Sequence, residues 1–271
     1  MQTRSSVIVT LNIKKITNAL AASAMLSLTL WPNLSTAIPA NPADSERVIP
    51  YPAGYDTTSS GASSYEKIGD ATDSPYFKSP DFFTLQSNDR LSILSRYQTY
   101  QQTTEYTCGP AAALTVLNRF GMQSKDELTL AKLMGTNDEV GTTPAQMADY
   151  FKSIGWHVES SVGRAPNTLS FPESSDFRTF AIAQIKAGHP ILIDWVDWAG
   201  HWVTIVGYDT MGTEGIGDDI VIVSDPYDTS DHKQDGYGIM NAERFYEMWF
   251  EGDSTSDGQK KRQQWVVAYP K

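Results

Sequence analysis

The chain holds a single cysteine, Cys108, which is followed by Gly109 and Pro110 in a segment that predicts the first turn of a helix. A lone thiol cannot form an internal disulfide, and its position here is suited to a nucleophile. The thiolate is the reactive form of cysteine, and a helix N-terminus and a nearby imidazolium both favour that form. The amide of Cys108 would be an unpaired donor of the first turn and would help to hold an oxyanion. Gly109 would let a substrate approach the backbone closely.

A second oxyanion donor is expected from a glutamine on the approach to this helix. Gln102 lies six residues before Cys108, and its side-chain amide would reach the same site. Gln101 is adjacent and stays open as the alternative donor, and both could also be ordinary surface glutamines. The adjoining Cys-Gly-Pro sequence favours the oxyanion role for Gln102.

The best candidate for a general base among the four histidines is His201. It follows Gly200 and begins the apolar segment Trp-Val-Thr-Ile-Val, so a rigid strand would present its ring to a cleft. The other three histidines occur where structural roles are expected. His157 follows a tryptophan, His189 is in a Gly-His-Pro turn, and His232 is in a polar loop.

The candidate partner for the imidazole is Asp225, which ends a later apolar strand and precedes Pro226. The proline favours an extended conformation for the aspartate, and a carboxylate in this position would orient His201 and stabilise its cation. Three other aspartates compete for this role: Asp194, Asp197 and Asp209. Asp197 precedes His201 too closely to lie on a neighbouring strand, and Asp209 is in a predicted turn.

Along the chain, the elements that would position these residues are predicted to be mostly helices in the first part and mostly strands in the later part. The pattern of apolar residues, caps and glycines predicts five helices, one of which begins at a capping box formed by Ser124 and Glu127. The predicted helices cover about 108–120, 124–135, 143–155, 177–186 and 242–250. The predicted strands cover 191–196, 201–206, 220–223 and 265–269. Helices followed by strands predict an α+β fold rather than alternating βαβ units.

The N-terminal part predicts export. Residues 1–37 combine basic residues, a nearly continuous apolar run and small residues at a processing site, which is typical of a secretory signal peptide. The apolar run is short for a membrane span, and no later segment predicts one. We therefore expect an extracellular or periplasmic protein without stable membrane insertion after the signal is removed.

Residues 38–75 are rich in small and polar residues, and such a composition favours a low-complexity linker or a pro-like segment over an independently folded unit. The patterned sequence that follows predicts one domain over residues 76–271. If the linker were an inhibitory pro-segment, its deletion would change turnover.

Charge and composition exclude several classes of function. The net charge is −11, and removing residues 1–37 takes away three of the 21 basic residues and none of the 32 acidic ones, which makes it −14. An acidic chain argues against nucleic acid and anionic membrane surfaces as partners. No cysteine or histidine spacing predicts a metal site, and no glycine-rich phosphate loop is present, so no cofactor is expected.

Three parts of the sequence together resemble the papain-like cysteine peptidases, and within them the bacterial double-glycine leader peptidase-like family. They are the block from Gln102 to Leu117, the strand from Gly200 to Tyr208, and Ser-Asp-Pro-Tyr at 224–227. The resemblance covers roughly residues 75–271. It implies a papain-like fold in which the cysteine helix packs on an antiparallel sheet. The residues at 142–146, Thr-Thr-Pro-Ala-Gln, also resemble the start of the substrate-side helix of that fold.

Residue by residue, the resemblance implies Cys108 as nucleophile, His201 as base, Asp225 as its orienting partner and Gln102 as oxyanion residue. The expected activity is hydrolysis of peptide bonds in a peptide or protein substrate. No transporter or nucleotide-binding domain, as in leader-processing members, is recognisable in the sequence, so leader cleavage is not the expected role. The long segment 211–219 between His201 and Asp225 is a further departure from the family pattern.

Two alternatives to hydrolysis stay open. The same thiol chemistry with an amine as acceptor would make the protein an acyltransferase of the transpeptidase or transglutaminase kind. A degenerate site would leave a module that binds peptides or cell-wall material, although an intact set of thiol, imidazole, carboxylate and amide argues against it. Tryptophans near His201 would either pack in the core or form a hydrophobic wall for a substrate. They are Trp195, Trp198 and Trp202.

Overall fold

The structure is a computed structural model. It describes residues 46–56, 58, 60–65, 78, 80–165, 168–229, 231, 233–254 and 260–271. The predicted signal sequence and part of the predicted linker lie outside the described residues, and the boundaries at 37 and 75 stay predictions. No helix of the described residues is both long enough and apolar enough to cross a bilayer.

The described residues form a helical part followed by an antiparallel sheet. The helices are α1 (Cys108–Arg119), α2 (Glu127–Met134), α3 (Pro144–Ser153), α4 (Ser174–Lys186) and α5 (Ala242–Met248). The strands of the main sheet are β1 (Leu91–Ile93), β2 (His157–Ser160), β3 (Ile191–Trp195), β4 (His201–Asp209), β5 (Ile220–Ser224), β6 (Tyr237–Asn241) and β9 (Gln264–Tyr269). A separate two-stranded antiparallel sheet is formed by β7 (Phe250–Ser254) and β8 (Lys260–Arg262).

All described pairings in the main sheet are antiparallel. Its order is β2-β9-β3-β4-β5-β6, and β1 also pairs with β4. The central strands β3, β4 and β9 are buried on both faces of the sheet, so their apolar residues do not alternate with exposed polar ones. The α+β fold that the sequence predicts, with the cysteine helix packed on an antiparallel sheet, is confirmed.

Alternate residues of the central strands belong to two different cores, as the pleat requires. One core includes α4 and α5 and receives from the strands Ile191, Ile193, Val203, Ile205, Trp265 and Val267. The other core includes α1, α2 and α3 and receives Leu192, Trp202, Val266 and Ala268. The cysteine helix is therefore fixed against one face of the sheet, and its start is held near the beginning of β4.

The predicted capping box of the second helix is wrong. α2 begins at Glu127, and its N-cap is Asp126, whose carboxylate accepts a hydrogen bond from the amide of Thr129 at 2.8 Å. The Glu127 side chain is buried instead of reaching back towards Ser124. The local pattern failed because a glutamate three residues after a serine looks the same whether it caps a helix or enters the core.

Described residues between 46 and 65 form an N-terminal arm that lies against the domain. Val48 forms a parallel bridge with Thr99, and the amide of Ala62 donates to the carbonyl oxygen of Gln102 at 3.0 Å. Ala62 is fully buried. This arm, which the composition predicts to be part of a linker, thus contacts the segment that leads into the cysteine helix.

Candidate active site

The thiol of Cys108 lies at the first residue of α1, as the sequence predicts. The side chain is a free thiol and is 9% exposed. Thr107 is the N-cap residue, but its hydroxyl does not cap the helix because it donates to the carboxylate of Glu127. The first-turn amides of a helix have no partners within it, so the amide of Cys108 is a donor near its own sulfur.

The imidazole and carboxylate predicted from the two strands are brought together. His201 is the first residue of β4, and Asp225 directly follows β5, the neighbouring strand. His201 Nε2 lies 2.8 Å from Asp225 Oδ1, and the amide of Tyr227 donates to the same oxygen at 2.8 Å. The long segment between the two strands does not separate them. Because Nε2 is engaged, Nδ1 is the ring nitrogen left for another partner.

The environment of His201 favours its protonated form. Burial of the ring lowers the pKa of His201, but the negative charge of Asp225 and the hydrogen bond to it outweigh burial and raise that pKa to about 10. A hydrogen bond with Cys108 and the charge of that residue raise it further. Cys108, His201 and Asp225 therefore form a contiguous set of side chains.

The two glutamines that the sequence leaves open have different surroundings. Both polar atoms of the Gln101 side-chain amide form hydrogen bonds with residues other than Cys108. Its Nε2 donates to the carbonyl oxygen of Asp225 at 2.8 Å, and its Oε1 accepts from the backbone amide of Asp228 at 3.1 Å. Gln101 thus connects the segment that leads into α1 to residues 225–228, which we call the aspartate loop. Gln102 instead lines the cavity that contains Cys108.

The amide of Gln102 keeps hydrogen-bonding capacity. Its Nε2 donates to the carbonyl of Thr104 at 2.7 Å, which leaves a second N–H on the same nitrogen. Its Oε1 is buried and has no partner among the described residues.

These side chains open into a cavity of about 300 Å³, which we call the Cys108 cavity. It is lined by Gln102, Glu105, Cys108, Trp198, Gly200, His201, Tyr227 and Thr229. Of the tryptophans flagged in the sequence, Trp195 and Trp202 are in the core, whereas Trp198 is 63% exposed at the cavity.

Trp198 is held in an unusual backbone conformation. It has φ 49° and ψ 35°, and Ala199 also has a positive φ of 72°. Left-handed conformations are unfavourable for bulky residues and cluster at functional sites. The indole lies 4.9 Å from the His201 ring and 5.2 Å from the Tyr227 ring, between centroids. The strained turn therefore places an aromatic wall beside the imidazole.

The role expected for Gly109 is not what the structure indicates. Gly109 is buried, and a Cβ at this position would lie 2.4 Å from Thr142 Oγ1 and 2.5 Å from Thr142 Cβ. The glycine thus allows the loop before α3 to pack against the start of α1, rather than giving a substrate access to the backbone. Thr142 in turn accepts a hydrogen bond from Trp202 Nε1 through its carbonyl oxygen at 2.7 Å.

The remaining histidines lie elsewhere. His157 and His189 both stack on the ring of Tyr269, and burial lowers the pKa of His189. His232 lies outside the described residues. In the part of the chain that the structure describes, no group of three or more histidine, cysteine or acidic side chains is arranged to hold a metal ion.

A buried acid, which the sequence pattern predicts to cap a helix, supports the approach to Cys108. Glu127 is 1% exposed, and its carboxylate accepts hydrogen bonds from the amide of Thr103 at 3.0 Å, the hydroxyl of Tyr100 at 3.0 Å and the hydroxyl of Thr107. Burial raises the pKa of Glu127, and these donors oppose that rise. The side chain connects the residue after Gln102 to the residue before Cys108.

Replacing Glu127 by alanine should lower the free energy of unfolding by about 2–5 kcal/mol, because three buried donors lose their acceptor. Chemical denaturation of the full chain measures this. The exposed Glu139, changed to alanine, is the matched control and should stay within about 0.5 kcal/mol of the parent. Equal stability of the two variants would contradict the supporting role of Glu127.

Comparison with known proteins places the chain in a family. The chain combines a thiol at a helix start, an imidazole at a strand start and a carboxylate that directly follows the next strand, on an α+β fold. The sequence model of the Peptidase_C39 like family matches residues 94–252, and the chain belongs to that family. This membership confirms the resemblance noted in the sequence. No curated protein sequence matches the chain.

Solved structures with similar folds share little sequence with the chain. The peptidase domain of Streptococcus ComA, described as a bifunctional ABC transporter involved in a quorum-sensing pathway, has 18% identity and a TM-score of 0.42, over 65% of this chain and 99% of that domain. A Bacillus anthracis protein described as a candidate C39-like peptidase has 16% identity and a TM-score of 0.43, over 68% of this chain and 99% of its own.

Proposed function

We propose that the protein is an exported cysteine peptidase that hydrolyses peptide bonds with Cys108 as its nucleophile. The observation that carries the proposal is the contiguous set formed by Cys108, His201 and Asp225, with the His201–Asp225 contact at 2.8 Å. Membership of the Peptidase_C39 like family supports a cysteine peptidase-like function and peptide substrates.

In the proposed first step, the thiolate of Cys108 attacks the carbonyl carbon of the scissile bond. The carbonyl oxygen becomes an oxyanion, which accepts hydrogen bonds from the amide of Cys108 and the remaining N–H of Gln102. His201 Nδ1 then gives its proton to the leaving amine as the C–N bond breaks. The products of this step are a thioester on Cys108 and a free amine.

In the second step, His201 is neutral and takes a proton from water as the water oxygen attacks the thioester carbonyl. The C–S bond breaks, the carboxylic acid product leaves, and the Cys108 thiolate and His201 imidazolium are restored. Asp225 keeps the ring oriented and stabilises its cation through both steps. An amine in place of water would make the same intermediate an acyl donor.

The proposal is tested by incubating the protein, starting at residue 38, with a diverse peptide library under reducing conditions and reading products by mass spectrometry. Cleavage should occur with the parent protein and be lost in Cys108→Ala. Adding a labelled amine distinguishes acyl transfer, which yields amide products, from hydrolysis. Cleavage that persists in Cys108→Ala, or none with the parent, would refute the proposed peptidase activity.

Export is part of the same proposal and rests on the pattern of residues 1–37. N-terminal sequencing of protein recovered outside the cytoplasm of a bacterial host tests it. A mature chain that begins at residue 38, after Ser-Thr-Ala at 35–37, or at residue 41, after Ile-Pro-Ala at 38–40, is expected. An intact residue 1 on cytoplasmic protein would contradict export.

A further inference from the structure

A carboxylate stands in the wall of the Cys108 cavity that the proposed chemistry does not use. Among the described lining residues, the charged side chains are His201 and Glu105. Glu105 lies between Gln102 and Cys108 in sequence, and it is exposed at the cavity. Its negative charge is therefore presented to whatever enters the cavity beside the nucleophile.

The Glu105 carboxylate is held from two distant parts of the chain. Oε1 accepts a hydrogen bond from the amide of Gly61 in the N-terminal arm at 3.0 Å, and Oε2 accepts one from the hydroxyl of Tyr227 at 2.7 Å. Tyr227 belongs to the aspartate loop, since its amide donates to Asp225. The carboxylate is thus oriented before any substrate binds, which reduces the entropy lost on binding.

These two contacts leave the charge of Glu105 uncompensated. Both donors are neutral, and each carboxylate oxygen can accept a further hydrogen bond. No ion pair to Glu105 occurs within the described residues. A cationic group entering the cavity would therefore meet an unneutralised acceptor.

The aromatic wall of the same cavity suits the rest of a basic side chain. The exposed indole of Trp198 packs near the Tyr227 ring, whose hydroxyl donates to Glu105. Lysine and arginine combine an apolar stem with a charged end, and their cations are attracted to the faces of aromatic rings. An acidic protein, with a net charge of −11, also draws cationic peptides towards it.

We propose that Glu105 and Trp198 form a subsite for a lysine or arginine side chain of the peptide that Cys108 cleaves. The proposal rests on the peptidase function proposed above. The carboxylate pairs with the ammonium or guanidinium group, and the indole contacts the aliphatic stem.

The test compares kcat/KM for peptides that differ only in carrying lysine or norleucine, at each position around the cleaved bond in turn. At one position, the parent protein should prefer lysine. In Glu105→Gln, the ratio of lysine to norleucine turnover should fall about three- to tenfold, because a partly exposed ion pair is lost. Raising the ionic strength should lower the ratio for the parent protein but not for the variant.

The exposed Glu139→Gln variant is the matched control and should keep the parent ratio. A parent protein without a preference for lysine, or an unchanged ratio in Glu105→Gln, would overturn the subsite. Binding of the same peptides to Cys108→Ala, with and without Glu105→Gln, provides a readout that needs no turnover. If the parent cleaves nothing, the peptidase function fails, and this binding comparison alone decides whether Glu105 selects a cation.

Discussion

Replacing His201 by alanine should lower kcat/KM for peptide cleavage by about 10³–10⁴-fold. The change removes the proton donor for the leaving amine, the base for thioester hydrolysis and the cation that stabilises the thiolate of Cys108. The buried ring lies against both Cys108 and Asp225, so no other described imidazole can take its place. Steady-state kinetics on a peptide from the library measures the loss.

The control for this prediction is His157→Ala, because that imidazole stacks on Tyr269 and has no contact with the Cys108 cavity. It should leave kcat/KM within about twofold of the parent value. Because catalytic groups act as a unit, the double variant Cys108→Ala and His201→Ala should be no slower than Cys108→Ala alone. Full turnover in His201→Ala would remove this residue from the proposed mechanism.

Replacing Asp225 by asparagine should change the pH dependence of turnover as well as its size. The Asp225 charge is the main reason why the pKa of His201 is raised to about 10, while burial of the ring acts in the opposite direction. Without that charge, the pKa of His201 falls, and the imidazolium is lost at lower pH. The alkaline limb of the kcat/KM profile should therefore move to lower pH, and kcat/KM at pH 7 should fall by about 10²-fold or more.

The same pKa shift fixes the sign of a stability effect. A histidine whose pKa in the folded protein lies above its ordinary value of about 6.5 contributes stability that is fully present below that pH. The contribution is lost as the pH rises through about 10. The parent protein should therefore exceed Asp225→Asn in free energy of unfolding at pH 6, and the difference should shrink towards pH 10.

Asp149→Asn, an exposed change on α3, controls for loss of a carboxylate in general. Its pH profile should match that of the parent protein. An alkaline limb at the same pH in Asp225→Asn and the parent would mean that Asp225 does not set the protonation of His201.

The sequence predicts the parts of the site that depend on local pattern. The start of α1 at Cys108 is marked by Gly109 and Pro110, and the starts and ends of apolar strands mark His201 and Asp225. Their meeting follows once the two strands are neighbours in an antiparallel sheet. Which of Gln101 and Gln102 faces the thiol does not follow in this way. It depends on which of the two side-chain amides is hydrogen-bonded to the aspartate loop.

The features that sequence reasoning missed arise from contacts between distant segments. Glu127 receives its hydrogen bonds from residues 20 to 27 positions earlier, and Glu105 from Gly61 and Tyr227, which are 44 and 122 positions away. The composition of the N-terminal arm predicts a linker, and nothing in it marks the contact of Ala62 with Gln102. The position of Trp198 close to His201 in the sequence indicates a role near the site, but its left-handed backbone conformation cannot be predicted from the sequence.

The pairing of Cys108 with His201 is tested most directly by the rate at which iodoacetamide alkylates Cys108 between pH 5 and pH 10. The folded parent protein and His201→Ala are compared, with adducts mapped by mass spectrometry. The parent thiol should react rapidly already at pH 6–7, whereas in His201→Ala the rate should be low there and rise with pH as for an ordinary cysteine. Coincident profiles, or a parent thiol that is slow at neutral pH, would contradict a thiolate stabilised by His201 and with it the proposed peptidase.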